Sequence, residues 1–292
     1  MRRLIKRVLL RVPWLGIAWV KAVRPWQFRK ERKAFVGDFT GAHMKGRGVR
    51  PSVVFFSHYR SASMMLNRRL LELIDGHDYC QLDYQGYVHP WSIERREDFQ
   101  RDVEGHKQCG RFPEKGYYFG PLRYFVDIPA LEKMKVIVVL RDPRDVLVSR
   151  YYSEKYNHVR LDKRFLAHCE SIEKLSLDEF VLAYREDVKS HYDLYLKKAE
   201  QLANALTVNY EEMVGDFEGF LRKVNDYLEL GRDEKFIQSI TKQENFDVKK
   251  EDVYSHKRSV QPRNFEKKLK DATIKDLNSC FADVLTAFKW KV

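Results

Sequence analysis

Arg60, Ser61 and Ser63 stand directly after an apolar run, Val53-Val54-Phe55-Phe56, in the stretch Ser57-His58-Tyr59-Arg60-Ser61-Ala62-Ser63. Arg141 and Ser149 follow a second such run, Val136-Ile137-Val138-Val139-Leu140, in the stretch Arg141-Asp142-Pro143-Arg144-Asp145-Val146-Leu147-Val148-Ser149-Arg150-Tyr151-Tyr152. These residue types suit an anion. A guanidinium is a planar, multi-donor cation matched to phosphate or sulfate. Ser61 and Ser63 add hydroxyl donors, and Ala62 is small enough to let the backbone come close. Pro143 fixes a turn, and Ser149 lies about two helical turns beyond Arg141, so the pair could grip one phosphate from two sides. Each stretch alone has a plainer reading: a solvated turn with one arginine, and an ordinary Arg141–Asp145 surface pair worth little. Two such sites in one sheet suggest a ligand with phosphate-like groups at both ends.

Both stretches read as a buried strand, a polar loop and a helix start. A helix start leaves backbone N–H groups unpaired at the positive end of the dipole, which suits an anion. Apolar spacing predicts a helix from Ser63 to about Ile74, and another starting near Asp145. Residues 176–204 read as one long helix, with Ser176 as N-cap and Asp178 and Glu179 in its first turn. A short strand, Leu206-Thr207-Val208-Asn209, follows, then helices near 216–229 and 233–240 and a last one over about 271–289. Residues 241–268 read as a polar, basic loop. Residues 75–130 are aromatic and turn-rich with no strong periodicity, a place to build a substrate pocket. Strands alternating with helices predict an α/β fold, a parallel sheet wrapped by helices.

The chain has 292 residues, 44% of them hydrophobic and 33% charged, enough for one large α/β domain or two small ones and against disorder. Cys80, Cys109, Cys169 and Cys280 include no C-x-x-C pair, which argues against a zinc site or a disulfide framework and for free thiols in a reducing, cytoplasmic compartment. The net charge of +12 sits on one tail: residues 1–33 hold eleven Lys and Arg against Glu31 alone, +10 of the total, and leave +2 for the rest. That distribution speaks against nucleic acid as partner. Basic and apolar residues interleave in the tail, as in a helix lying on an anionic membrane, such as the inner face of a cell membrane. An amphipathic helix packed on protein is the alternative. The longest charge-free run there, Val12 to Val20, is interrupted by Pro13 and falls short of the roughly 20 apolar residues of a spanning helix. No clear cleavage site marks a signal peptide. The Gly-rich stretch Gly37 to Arg50 reads as a linker, dividing the chain into an N-terminal extension, 1–50, and a domain, 51–292.

The segment Arg141 to Tyr152 resembles the sulfotransferases that use 3′-phosphoadenosine 5′-phosphosulfate (PAPS), and the Arg60 loop is similar to the same family's first loop. Members carry Lys or Arg, then Ser, Gly, Thr, Thr after the first strand, which bind the 5′-phosphosulfate. Their second element reads Arg, Asn or Asp, Pro, basic, Asp, then a Ser at the position of Ser149, and binds the 3′-phosphate. The resemblance covers roughly residues 52–290. It implies the P-loop-like sulfotransferase architecture, PAPS as co-substrate, no metal, and an acceptor hydroxyl or amine, carbohydrate or glycolipid among the options. It assigns donor binding to Arg60, Ser61, Ala62, Ser63, Met64, Arg141 and Ser149. It adds Tyr210, in Val208-Asn209-Tyr210-Glu211-Glu212-Met213, near the adenine, and Lys257 and Arg258 in a late cofactor-closing loop.

This chain departs from the pattern at Ala62, Met64, Ser259 and Pro262. Arg60 also stands where many members carry a lysine that can donate a proton. An arginine cannot, so the role implied for Arg60 is electrostatic, stabilising charge on the bridging oxygen as the S–O bond breaks. For the general base that an acceptor hydroxyl needs, the choice falls on Asp83, with His106 second, from a set that includes His89 and Glu94. Two other readings stay open: a P-loop-like small-molecule kinase, against which the missing Gly-Lys-Ser/Thr counts, and a non-enzymatic membrane-surface or polyanion-binding protein on the same fold.

Overall fold

A computed structural model of the chain describes residues 48–82, 112–157 except 124 and 126, 163–246 except 245, and 260–291. The first apolar run forms β1 (Val53–Ser57) and leads into α1 (Ser63–Ile74). β2 (Cys80–Leu82) and β3 (Tyr117–Leu122) follow, then β4 (Lys135–Leu140) and α2 (Pro143–Tyr152). A short π-helical turn at Ser153–Asn157 precedes α3 (Lys163–Glu173) and the long α4 (Leu177–Lys197). β5 (Leu206–Asn209) opens the last part, which continues through α5 (Tyr210–Gly215), α6 (Phe217–Tyr227), α7 (Glu234–Thr241), α8 (Asn264–Lys268), α9 (Asp271–Cys280) and α10 (Ala282–Ala287).

The five strands form one all-parallel sheet in the order β2-β3-β1-β4-β5. The continuous apolar runs of β1 and β4 suit strands covered on both faces, and β3 is likewise buried throughout. Because side chains alternate across a strand, Val53 and Phe55 join one core while Val54 and Phe56 join the other. α1, α5, α6 and α7 cover the first face; α2, α4, α9 and α10 cover the second. β1 and β4 are neighbours whose following helices therefore leave to opposite faces. The sheet opens a crevice between their carboxyl ends, where ligands bind in open α/β sheets.

Several elements follow the sequence closely. α1 has the predicted bounds, and Ser176 caps α4 in a full capping box with Glu179. Others differ. α2 begins at Pro143, before Asp145, because Asp142 already caps it by accepting from the Arg144 N–H at 2.9 Å. The predicted final helix is two, α9 and α10, joined at Phe281. β2 and β3 lie inside the segment that lacks periodicity. β3 is hidden because Gly120-Pro121, a pair that reads as a turn, interrupts its apolar run.

β3 carries a β-bulge. Its pairing with β1 steps from Val54↔Phe119 to Phe56↔Leu122, two residues against three. The extra residue falls at Gly120-Pro121, and a side chain at Gly120 would place its Cβ 2.9 Å from the Phe55 Cβ. That atom is fixed by the central strand and cannot yield. Gly120→Ala should therefore destabilise the protein by about 1–3 kcal/mol, as overpacking of a dense core does. Urea unfolding compares the two proteins, and equal midpoints would show that β1 and β3 can separate at no cost.

Candidate active site

The loop after β1 turns sharply: the Ser61 N–H donates to the His58 carbonyl at 3.3 Å, and Arg60 and Ala62 adopt left-handed backbone at φ 70° and 59°. This is the conformation for which glycine is the usual residue, so Ala62 adopts a glycine-like turn despite its Cβ. α1 starts next, with Ala62 as N-cap and no side chain capping it. Its first N–H groups are thus left to an outside acceptor. Met64 is 42% exposed, and a thioether has no proton to donate, so only its backbone N–H can serve an anion.

The second loop is held from below. Arg141 is 4% exposed. It pairs with Asp145 at 3.4 Å and lies over the Tyr210 ring at 4.4 Å. Its carbonyl accepts from the Tyr192 hydroxyl. Burial opposes the Arg141 charge, yet Asp145, Tyr210 and Glu211 together hold it more firmly protonated than usual. Burial pushes the Asp145 carboxyl up, against the pull of Arg141. An arginine keeps its proton at any working pH, and the Phe265 N–H donates to Asp145 Oδ1 at 2.9 Å, so the two form an ion pair. Glu211 fixes the loop's start by accepting from the Asp142 N–H at 3.1 Å and the Trp290 indole at 2.9 Å. Arg144 points away from the crevice. It pairs with Asp142 at 2.7 Å, donates to Asn278 and the Lys291 carbonyl, each at 2.6 Å, and covers the Phe265 ring.

The two loops meet. Arg141 Nη1 donates to the Arg60 carbonyl at 3.1 Å, and Arg60 Nε donates to Ser149 Oγ at 3.1 Å. Arg60, Ser61, Ala62 and Ser63 thus adjoin Arg141 and Ser149 at one crevice, with Tyr210 beneath Arg141. The Tyr210 hydroxyl donates to the Val260 carbonyl at 3.2 Å. Asp83, His106, Lys257, Arg258 and the tail, 1–33, lie outside the described residues. Among the described residues no group of three or more His, Cys, Asp or Glu side chains is placed to hold a metal ion.

The crevice fits an anionic ligand on its own evidence. Ser61 Oγ and Arg141 Nε are buried with no hydrogen-bond partner among the described residues. A buried polar atom left unpaired costs about 1–3 kcal/mol, and an acceptor oxygen in the crevice would relieve both.

Arg123 is a residue of this crevice that the sequence reading passed over. It follows β3, and its Nε donates to Ser63 Oγ at 3.1 Å. A signal existed: Tyr117-Tyr118-Phe119-Gly120-Pro121-Leu122-Arg123 repeats the pattern of an apolar run and then an arginine. Tyr192 carried no comparable signal, since it reaches the site from within α4; Glu211 stands beside Tyr210 in a segment the resemblance already covers, without a role of its own assigned.

Beneath the first loop lies His58, fully buried between the Tyr59 and Tyr192 rings at 4.0 and 4.8 Å, with His191 at 5.5 Å. Its Nδ1 is 2.9 Å from the Tyr59 carbonyl, which can only accept, so Nδ1 carries the proton. Nε2 is then a bare acceptor without a partner among the described residues. Burial first, then His191 and Arg150, hold the imidazole well below its ordinary value, outweighing the Tyr59 hydrogen bond.

The sequence profile of the sulfotransferase domain matches residues 126–281. Over 120 residues the chain is 31% identical to a luciferin sulfotransferase of Photinus pyralis; the aligned region is 40% of this chain and 30% of that relative. Two solved structures share the fold at 17% identity. A retinol dehydratase in complex with retinol and PAP superposes with a TM-score of 0.54, covering 89% of this chain and 88% of that one. A retinol dehydratase with androsterone and the inactive cofactor PAP gives 0.56, covering 88% and 87%.

The folded state resists protonating His58, while the unfolded chain binds a proton below about pH 6.5. Stability should therefore fall as pH drops through that value, by up to about 1.4 kcal/mol per pH unit from this group alone. His58→Phe keeps the ring contacts and should lose less between pH 7.5 and 5.5. Equal losses of unfolding free energy in the two proteins would exclude the effect.

Proposed function

The chain belongs to the sulfotransferase domain family, and from that premise we propose that it moves a sulfuryl group from PAPS to a hydroxyl or amine of an acceptor, carbohydrate or glycolipid in the finer reading. The observation that carries this is the junction of the two loops: Arg141 on the Arg60 carbonyl and Arg60 on Ser149 Oγ. One ligand with an anionic group at each end satisfies both loops at once. When bound, PAPS supplies an activated sulfuryl group between two phosphate-bearing poles.

In this reading Ser61, Ser63 and the first N–H groups of α1 hold the 5′ end, with Ala62 and Met64 contributing backbone. Arg141 and Ser149 hold the 3′-phosphate. Tyr210 keeps Arg141 in place and bounds the adenine side. Lys257 and Arg258 close over the ligand. Arg60 neutralises charge without transferring a proton, because its proton is permanent. The base is Asp83, with His106 the alternative; β2 ends at Leu82, immediately before Asp83. The catalytic domain occupies 51–292, and residues 1–33 make peripheral contact with the inner face of an anionic membrane. No helix of the described residues is long and apolar enough to cross a membrane.

Adenosine 3′,5′-bisphosphate should raise the thermal stability of the protein, by about 2.7 kcal/mol at a hundredfold excess over Kd, and ATP should not. A response to ATP alone would favour the kinase, and a response to neither the non-enzymatic reading. Ser149→Ala should weaken the bisphosphate about tenfold or more, the worth of a hydrogen bond to a charged group. Arg141→Ala is a poorer probe: it strands Asp145 in the core and should cost about 3–5 kcal/mol of stability. Deleting residues 1–33 should abolish binding to anionic vesicles while sparing the bisphosphate. Vesicle binding that survives the deletion would refute the membrane contact.

A further inference from the structure

We propose that Asn264 is a ligand of the anionic group held at the second loop, donating to it from its side-chain amide beside Arg141. This rests on the sulfotransferase reading, in which that group is the 3′-phosphate, and adds to it a neutral residue that belongs to neither loop.

Placement comes first. Arg141 has two buried neighbours, Asp145 at 3.4 Å and the Tyr210 ring at 4.4 Å. The segment Val260-Gln261-Pro262-Arg263-Asn264-Phe265 holds both of them. The Val260 carbonyl accepts from the Tyr210 hydroxyl at 3.2 Å, and the Phe265 N–H donates to Asp145 Oδ1 at 2.9 Å. The backbone of Arg263 bonds the same carboxyl. Asn264 therefore stands between two residues that both bond the carboxyl paired with Arg141. Arg263 turns the chain there with left-handed backbone, φ 57°, and Asn264 opens α8 only 7% exposed.

The chemistry follows from what is left unmade. A side-chain amide carries N–H donors as well as a carbonyl acceptor. Asn264 Nδ2 is buried with no hydrogen-bond partner among the described residues, and so is Arg141 Nε. The other two Arg141 nitrogens are engaged, Nη1 by the Arg60 carbonyl and Nη2 by Asp145. Two buried donors in one small cluster thus lack an acceptor. A donor left in that state costs free energy that an apolar side chain of similar shape would not. A phosphate ester carries several acceptor oxygens on one centre, so a single group can take both protons. Arg141 brings the charge, and Asn264 brings a second direction from which the anion is held. The amide adds no charge of its own, so it aims the group without further burial of a cation.

The test separates the two ends of the ligand. Isothermal titration compares adenosine 3′,5′-bisphosphate with adenosine 5′-monophosphate, which lacks the 3′ group, for the wild type, Asn264→Ala and Asn264→Ser. Asn264→Ala should weaken the bisphosphate by about 10–100-fold and change the monophosphate by less than about twofold. Asn264→Ser keeps a short donor and should lose less than Asn264→Ala. Should Asn264→Ala not fold, Asn264→Leu, which keeps the bulk and removes the donor, carries the same comparison. Equal losses for both nucleotides would make Asn264 a support of α8, and no loss for either would remove it from the site; each overturns the proposal. A wild type that binds neither nucleotide would instead sink the sulfotransferase reading, and the proposal with it.

Discussion

The buried guanidinium of Arg141 is the contact on which the site depends. It faces Asp145 in the first turn of α2, Tyr210 at the start of α5 and the carbonyl of Arg60 across the crevice. Each neighbour offsets part of what it costs to take a charge out of water, a penalty of several kcal/mol that one partner alone seldom repays. A charge supported by three elements can move from none of them. The loop after β1 contains two non-glycine residues in left-handed backbone, Arg60 and Ala62, each a conformation that persists only where the surroundings over-determine it. Arg141 supplies that over-determination, because its hydrogen bond ends on the carbonyl of one of the two strained residues.

Around this contact the crevice is built on permanent charge. Arg60, Arg123 and Arg141 cannot lose their protons, so the positive charge of the crevice does not hinge on a titrating cation. The cost is carried by groups that do titrate. Asp145 and Glu211 are both raised by burial, and each is retained by hydrogen bonds that also position the loop: Phe265 N–H for Asp145, the Asp142 N–H and Trp290 for Glu211. His58 sits below as a neutral, aromatic filler whose charge the fold excludes. The C-terminal elements take part through the same loop, since α8 reaches Asp145 and Trp290 reaches Glu211. They therefore hold the second loop as well as covering the sheet.

Legibility from sequence followed the range of the forces involved. α1, β5 and the cap of α4 were readable because apolar spacing and capping chemistry act over a few residues. The strand-loop-helix units at Arg60 and Arg141 were readable for the same reason. β3 was not, because Gly120-Pro121 reads as a turn inside its short run, and its bulge is defined only against β1. Arg123 was overlooked with it. The start of α2 was misplaced by two residues, since Asp145 looks like a first-turn acid until Asp142 is seen to cap the helix.

The amino-acid sequence by itself determined the α/β class, the two anion-suited loops, the identity of the family and the concentration of charge in the tail, all of which are written in adjacent residues. Only the tertiary structure decided that Arg60 turns to Ser149, that Arg141 is a buried strut more than a surface cation, that Arg144 faces away, and that Arg123 joins the first loop. Those outcomes depend on strand order and on a bulge between two strands far apart in the chain. No local pattern encodes which strands become neighbours, because that choice is made by the burial of both sheet faces at once.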